Sequence, residues 1–271
     1  MRARGDGGKR ERGSSVGAGR RGVLRGVVVG LVMLGCLAGV VGFQITRPAQ
    51  SGADPAAFVP SPKFFRELSP SFRTAVADAY WLAMVQYYGE HVEGDREFDA
   101  LPAYVRLVTD LSPRFERAYL FGAFALLDAG EGQEAYELLV RGARRNPQSW
   151  RIPATLGMLI YIYAGNEDKD ALAAEWYQKA AAVPGSPDYL PRVAAELLTK
   201  GGEAEESILM WGQVYATGDT YARDKALVEL DELLPPDPEQ RKEALQPLAA
   251  LMTPQQFLTL SSILMGVLET P

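Results

Sequence analysis

The 271-residue chain reads as all-α: a short α-solenoid of degenerate helix-turn-helix repeats, closed by C-terminal capping helices and preceded by one N-terminal transmembrane helix. Three observations predict this. Leu111-Ser112-Pro113 and Arg145-Asn146-Pro147 place two helix-stopping prolines 34 residues apart, which is the period of a helix-turn-helix repeat. A small-x3-apolar-x2-small spacing recurs as Ala135, Leu139, Gly142, then as Ala173, Tyr177, Ala180, then as Ser207, Trp211, Val214, and the step from Ala173 to Ser207 is again 34. Small side chains there let two helices approach, and the large one fills the next gap. Long alternating runs and Asn-Gly hairpins, the marks of strands, are absent.

The chain opens on a basic tail. Residues 1–47 carry nine Lys/Arg against Asp6 and Glu11, a net of +7, so the total of −6 leaves −13 for the rest. Residues 1–21 are Gly/Arg/Ser-rich, cannot bury enough apolar surface to fold, and are expected to be disordered. Gly26 to Phe43 is an uncharged run of 18 residues, long enough to cross a hydrocarbon core when its flanks contribute, so 22–45 is assigned as the membrane segment, with Arg25 snorkelling to the interface. Basic residues crowd only its N-terminal side. The positive-inside rule therefore puts the N-terminus in the cytoplasm and the acidic bulk outside, in a single-pass protein of the cell (inner) membrane.

Two processing signals compete with a retained anchor. Arg20-Arg21-Gly22-Val23-Leu24-Arg25 looks like a twin-arginine export motif with Ala49-Gln50-Ser51 as a small-x-small cleavage site, although Gly19 stands where serine is usual. Met33-Leu34-Gly35-Cys36 resembles a lipoprotein box, yet Leu37 to Phe43 stay apolar where a polar tether belongs. The retained anchor is the expectation. Cys36 is the single cysteine, which excludes an intrachain disulfide and a Cys-based zinc site. Residues 46–64, Pro-rich and mixed in polarity, read as an extended linker.

Residues 65–220 form the repeat region. In both Ser69-Pro70-Ser71-Phe72 and Ser112-Pro113-Arg114-Phe115, the serine is expected to cap a helix and the proline to take its first position. Leu156-Gly157 and the parallel between Ala118-Tyr119-x2-Gly122 and Ala79-Tyr80-x2-Ala83 mark the first helices. Together with the second-helix spacing and Pro147, these residues resemble tetratricopeptide repeats of the membrane-anchored bacterial type, about three and a half of them. The match is degenerate: Ala118 and Pro153 stand where the family usually has Trp, and Pro184 comes one residue early. The repeat-packing residues that the resemblance implies are Ala135, Leu139, Gly142, Pro147, Gly157, Ala173, Tyr177, Ala180 and Trp211.

Residues 221–271 follow as capping helices near 220–234, 238–251 and 254–268. Asp237-Pro238-Glu239-Gln240 and Thr253-Pro254-Gln255-Gln256 both read as cap, N1 proline and Gln at N3. The last helix, with Phe257, Leu260, Leu264 and Val267 on one side, is expected to close the exposed end of the final repeat.

Chemistry is scarce. His91 is the single histidine and is expected to serve the end of a helix rather than a reaction. Glu90, His91, Asp95 and Glu97 form an acidic loop read as solvated, and the pairs Glu205-Glu206 and Asp231-Glu232 fall on helix surfaces with no evident pocket. No phosphate-loop, dinucleotide or zinc-protease motif occurs. The expectation is therefore not an enzyme, with no catalytic or metal residues, no cofactor, no nucleic acid and no small-molecule substrate. What the resemblance implies instead is a concave groove, lined by first helices, that binds a peptide or helix of a protein partner. By position it would hold Tyr80, Met84, Tyr87, Tyr119, Ala123, Arg151, Met158 and Tyr161, about half of them exposed. Two roles are open: a scaffold in an envelope assembly, secretion or pilus complex that uses the groove, or a permanent subunit of a membrane complex that uses its convex face and C-terminal helices.

Overall fold

A computed structural model describes Gly35, residues 59–65 and residues 70–267. The expected tail, the membrane segment apart from Gly35, and the linker up to residue 58 lie outside the described residues. Among the described residues no helix is long and apolar enough to cross a membrane, and none of them forms a strand. They fold into eleven α-helices: α1 (Pro70–Glu93), α2 (Leu101–Leu111), α3 (Glu116–Asp128), α4 (Gly132–Arg145), α5 (Arg151–Tyr163), α6 (Lys169–Ala181), α7 (Tyr189–Gly201), α8 (Ala204–Thr217), α9 (Thr220–Leu233), α10 (Pro238–Leu245) and α11 (Pro254–Leu264). Two short 3-10 helices, Pro62–Phe65 and Gln246–Ala250, complete the list.

From α1 to α9 every helix packs on the next in the chain, and α3 also reaches α5. Local pairing of this kind is what short interhelical turns produce. Small residues set the spacing. A Cβ on Gly142 of α4 would lie 2.6 Å from Tyr119 Cδ1 of α3, and one on Gly157 of α5 would lie 2.9 Å from Tyr177 Cδ2 and 3.0 Å from the Ala173 carbonyl oxygen of α6. Ala135, Leu139, Ala173, Ala180 and Trp211 are buried, Tyr177 is half-buried against the core, and Pro147 is exposed just past the end of α4.

Two hydrophobic clusters carry most of the burial. One joins α1 to α7 through residues such as Leu101, Leu126, Leu138, Ile152 and Leu156; the other joins α8 to α11 through Trp211, Leu230, Leu248 and Leu260. Each fully buried Leu contributes ~1.5–3 kcal/mol. Trp211 buries a polar N–H along with its ring, and it donates from Nε1 to Thr199 Oγ1 at 3.2 Å. Thr199 Oγ1 is in turn 2.7 Å from Ser207 Oγ, so the α7/α8 seam closes on a satisfied polar pair.

The helix ends follow the sequence in part. Asp237 caps α10 by accepting from the Glu239 and Gln240 backbone N–H groups, and Thr253 with Gln256 forms a full capping box on α11. Gly202 ends α7 at φ 78°, a left-handed backbone that glycine adopts without a Cβ clash. Pro70 begins α1 as expected.

Other expectations need correction. Ser112 ends α2 rather than capping α3, and Pro113 sits in a turn in which the Phe115 N–H bonds the Ser112 carbonyl at 3.1 Å; α3 begins only at Glu116. The helix expected over 238–251 breaks at Leu245, because Pro247 lacks the N–H that an α-helix would need there; the chain tightens into the second 3-10 helix. α11 stops at Leu264, leaving Val267 75% exposed instead of on the packed side. The linker is also shorter than 46–64: Val59 and Phe65 pack on Ala77, Leu107 and Leu111, so the chain has joined the fold by residue 59.

Candidate partner-binding face

The eight residues expected in a groove divide by depth. Met84, Tyr119 and Ala123 are fully buried, so their assignment as groove residues is corrected: they are core. Met84 and Ala123 sit in the cluster joining α1 to α7, and Tyr119 fills the space that Gly142 leaves open. Tyr119 further donates from its hydroxyl to the Pro113 carbonyl at 3.2 Å.

Tyr80 and Tyr87 are half-buried and already engaged. Tyr80 lies 6.2 Å from Phe65 and 6.3 Å from Tyr104, ring to ring. The Tyr87 hydroxyl donates to the Glu97 carbonyl at 3.1 Å and accepts from the Ala100 N–H at 3.2 Å, so it pins the loop between α1 and α2. The His91 ring lies tilted against Tyr87 at 4.0 Å and donates from Nδ1 to the Tyr87 carbonyl at 2.7 Å near the end of α1. In the same loop, Arg96 takes the left-handed φ of 59° and pairs with Asp128 at 2.9 Å, while Asp128 also accepts from the Tyr88 hydroxyl. Asp95 accepts from the Glu97 N–H, so this acidic loop is organised by its own backbone. Burial is the first cause that raises the Tyr80, Tyr87 and Tyr88 hydroxyls above their ordinary pKa.

The side chains that join α1 to α3 went unassigned in the sequence. Trp81 packs edge-on against Phe115 at 5.1 Å and Phe121 at 5.3 Å, and Tyr88 meets Phe121 at 5.4 Å and Phe98 at 5.6 Å. Trp81 could have been found from its position, one residue after Tyr80 in a helix rich in aromatics.

The other three expected residues stay reachable. Arg151 and Tyr161 of α5 are exposed, and Met158 is half-buried. Polar contacts continue from them across alternate helices. Arg151 pairs with Glu116 of α3 at 3.6 Å. Tyr161 accepts from Lys200 of α7 at 3.5 Å, and both Lys200 and Lys169 place their Nζ 5.5 Å from its ring centroid. Arg192 of α7 lies over the Tyr221 ring of α9 at 5.6 Å, and Glu196 of α7 is 4.0 Å from Lys225 of α9. Lys225 also pairs with Glu229 at 2.8 Å; that hydrogen bond is the main cause raising its pKa above the ordinary value.

Thus α3, α5, α7 and α9 are linked side by side, and their shared surface carries Arg151, Tyr161, Arg192, Lys200 and Tyr221. Arg192, Lys200 and Tyr221 extend the site beyond the sequence-derived set. Continuing the 34-residue step from Met158 into α7 would have reached Arg192. Cations over exposed aromatic rings offer both a flat apolar contact and positive charge, which suits a segment with apolar and acidic side chains. Among the described residues no group of three or more His, Cys, Asp or Glu side chains is gathered as for a metal ion. Comparison with known protein-family models and with curated protein sequences yields no match.

Proposed function

We propose that the protein is a membrane-tethered, non-enzymatic scaffold of the tetratricopeptide type, whose repeats form a short solenoid and hold a partner protein on the face of α3, α5, α7 and α9. The observation that carries this reading is the row of cross-helix contacts through Arg151, Tyr161, Lys200, Arg192 and Tyr221. A partner segment with acidic and apolar residues complements it. Residues 22–45 anchor the chain with its N-terminus in the cytoplasm, so the partner is extracytoplasmic and belongs to an envelope assembly, secretion or pilus complex.

A photo-crosslinking residue in place of Tyr161 or Leu258, in the full chain in its own membrane, tests the reading. A partner adduct is expected from position 161 and not from 258. Lys200→Glu is expected to reduce partner recovery about tenfold, and unchanged recovery with no adduct at 161 would sink the groove assignment.

A second reading, a permanent subunit docked through its C-terminal helices, has one observation in favour. Leu258 of α11 is 65% exposed, and an open cavity of about 490 Å³ between α9 and α11 is lined by Leu227, Val228, Ile263 and Leu264 together with Asp224, Asp231 and Glu232, so the pair Asp231-Glu232 borders a cavity that the sequence did not lead one to expect. An adduct from 258 alone would select it.

A further inference from the structure

We infer that the cavity at the start of the folded region, between the first 3-10 helix, α1, α2 and the end of α4, is a binding site for a phosphate group. It encloses about 480 Å³ and is lined by Lys63, Arg73, Arg106, Asp110 and Arg145, together with Ser61, Pro62 and Leu111. Four cations and one carboxylate meet there. The carboxylate is taken: Asp110 Oδ1 accepts from Arg145 Nη1 at 3.1 Å, and the same nitrogen also bonds the Thr109 carbonyl. Lys63, Arg73 and Arg106 have no ion-pair partner among the described residues.

Of the three, Arg73 is half-buried while Lys63 and Arg106 are exposed. Three unneutralised cations gathered in one concavity repel one another. A single carboxylate ligand would leave two of them uncompensated. A phosphate, with a charge near −1.5 to −2 and three acceptor oxygens, answers the charge. Arginine forks also match its oxygens in pairs.

Two sources carry a phosphate: a soluble phosphate compound, which brings that full charge, and the diester headgroup of a phospholipid, which brings one charge and two free oxygens and so compensates less. The second rests on the anchor reading above, since Lys63 lies where the chain enters the fold from the expected membrane side.

The test uses the full chain in a neutral maltoside detergent at fixed ionic strength. Inorganic phosphate is titrated by calorimetry; mixed micelles of phosphatidylglycerol or phosphatidylcholine form the second arm. Saturable binding of one phosphate per chain is expected, weakened tenfold or more by Arg73→Gln or Arg106→Gln and several-fold by the exposed Lys63→Gln. Lys242→Gln, on α10, should leave it within twofold. Preference for phosphatidylglycerol that free phosphate competes away would assign the site to a headgroup; phosphate binding indifferent to lipid would assign it to a soluble ligand. Absence of saturable binding in both arms overturns the proposal, as does an equal loss with Lys242→Gln. Circular dichroism of each variant separates lost binding from lost folding, and Lys63→Gln, on an exposed side chain, keeps the test decisive should Arg73→Gln unfold.

Discussion

Two ends of one row of helices treat the residues expected in a groove in opposite ways. At α1 and α3, the expected groove residues Tyr80, Met84, Tyr87, Tyr119 and Ala123 are used up in packing, with Trp81, Phe115, Phe121 and Tyr88 sealing the joint. At α5, α7 and α9, Lys200 lies over the Tyr161 ring, Arg192 lies over the Tyr221 ring and Arg151 pairs back to Glu116 of α3, while Tyr161 keeps 38% and Tyr221 64% of its surface exposed. Sequence position alone therefore does not decide which of these side chains stays exposed. Where the neighbouring helix offers large aromatics, the position is filled; where it offers lysine and arginine, charge holds it open to water.

The comparison can be broken most severely at the seams. Gly142→Leu forces a side chain into Tyr119, with the first added carbon already 2.6 Å from its ring. Overpacking costs ~1–3 kcal/mol, and loss here should spread to adjoining helices. Gly89→Ala, at an exposed place on α1 where a Cβ meets nothing within 4 Å, should instead stabilise by ~0.5–1 kcal/mol through helix propensity. Urea denaturation followed by circular dichroism reads both, and equal effects would show that the seam is not tight.

Hydroxyl deletions come next. Tyr87→Phe removes the group that accepts from the Ala100 N–H and donates to the Glu97 carbonyl, for a loss of ~1–1.5 kcal/mol. Tyr161→Phe, on the exposed face, should stay within ~0.5 kcal/mol. If the two variants melt alike, the claimed difference between the two ends is wrong.

Alkaline pH gives a smaller, graded effect. Tyr80, Tyr87 and Tyr88 have folded-state pKa values raised above 10.0, chiefly by burial. The fold thus favours their protonated forms. Their contribution is complete below the unfolded value near pH 10 and is lost as pH rises through the folded values. Stability should hold to about pH 9.5 and then fall, and Tyr80→Phe with Tyr88→Phe should make the fall shallower. Absorbance at the tyrosinate band would show part of the tyrosines ionising late. The least effect is expected from Lys169→Gln, which removes one cation 5.5 Å from the Tyr161 ring and should change stability by no more than ~0.5 kcal/mol.

Local signals were legible where one stretch of chain sets the outcome. The prolines, the caps Asp237 and Thr253, and the small residues Gly142 and Gly157 act on their own turn or their own hairpin, so reading them needed no partner. The Ser112-Pro113 cap was misread because the same dipeptide that can start one helix here ends another, with the Phe115 N–H turning back to the Ser112 carbonyl. The break of the tenth helix at Pro247 could have been read from the missing donor alone. Trp81 lay in plain view, but its role depends on Phe121 of α3 and on Phe115 just before it.

By itself the sequence determined the all-helical class and the seams at Gly142 and Gly157, because backbone hydrogen bonding and close helix approach depend on residue types at short spacing. Tertiary structure decided which of the expected groove side chains stay exposed and which cations share a cavity. Lys63, Arg73, Arg106 and Arg145 come from four separate segments, and nothing in their spacing along the chain encodes that meeting. Exposure and charge clustering are properties of what several elements present to the same point in space, and only folding brings those elements together.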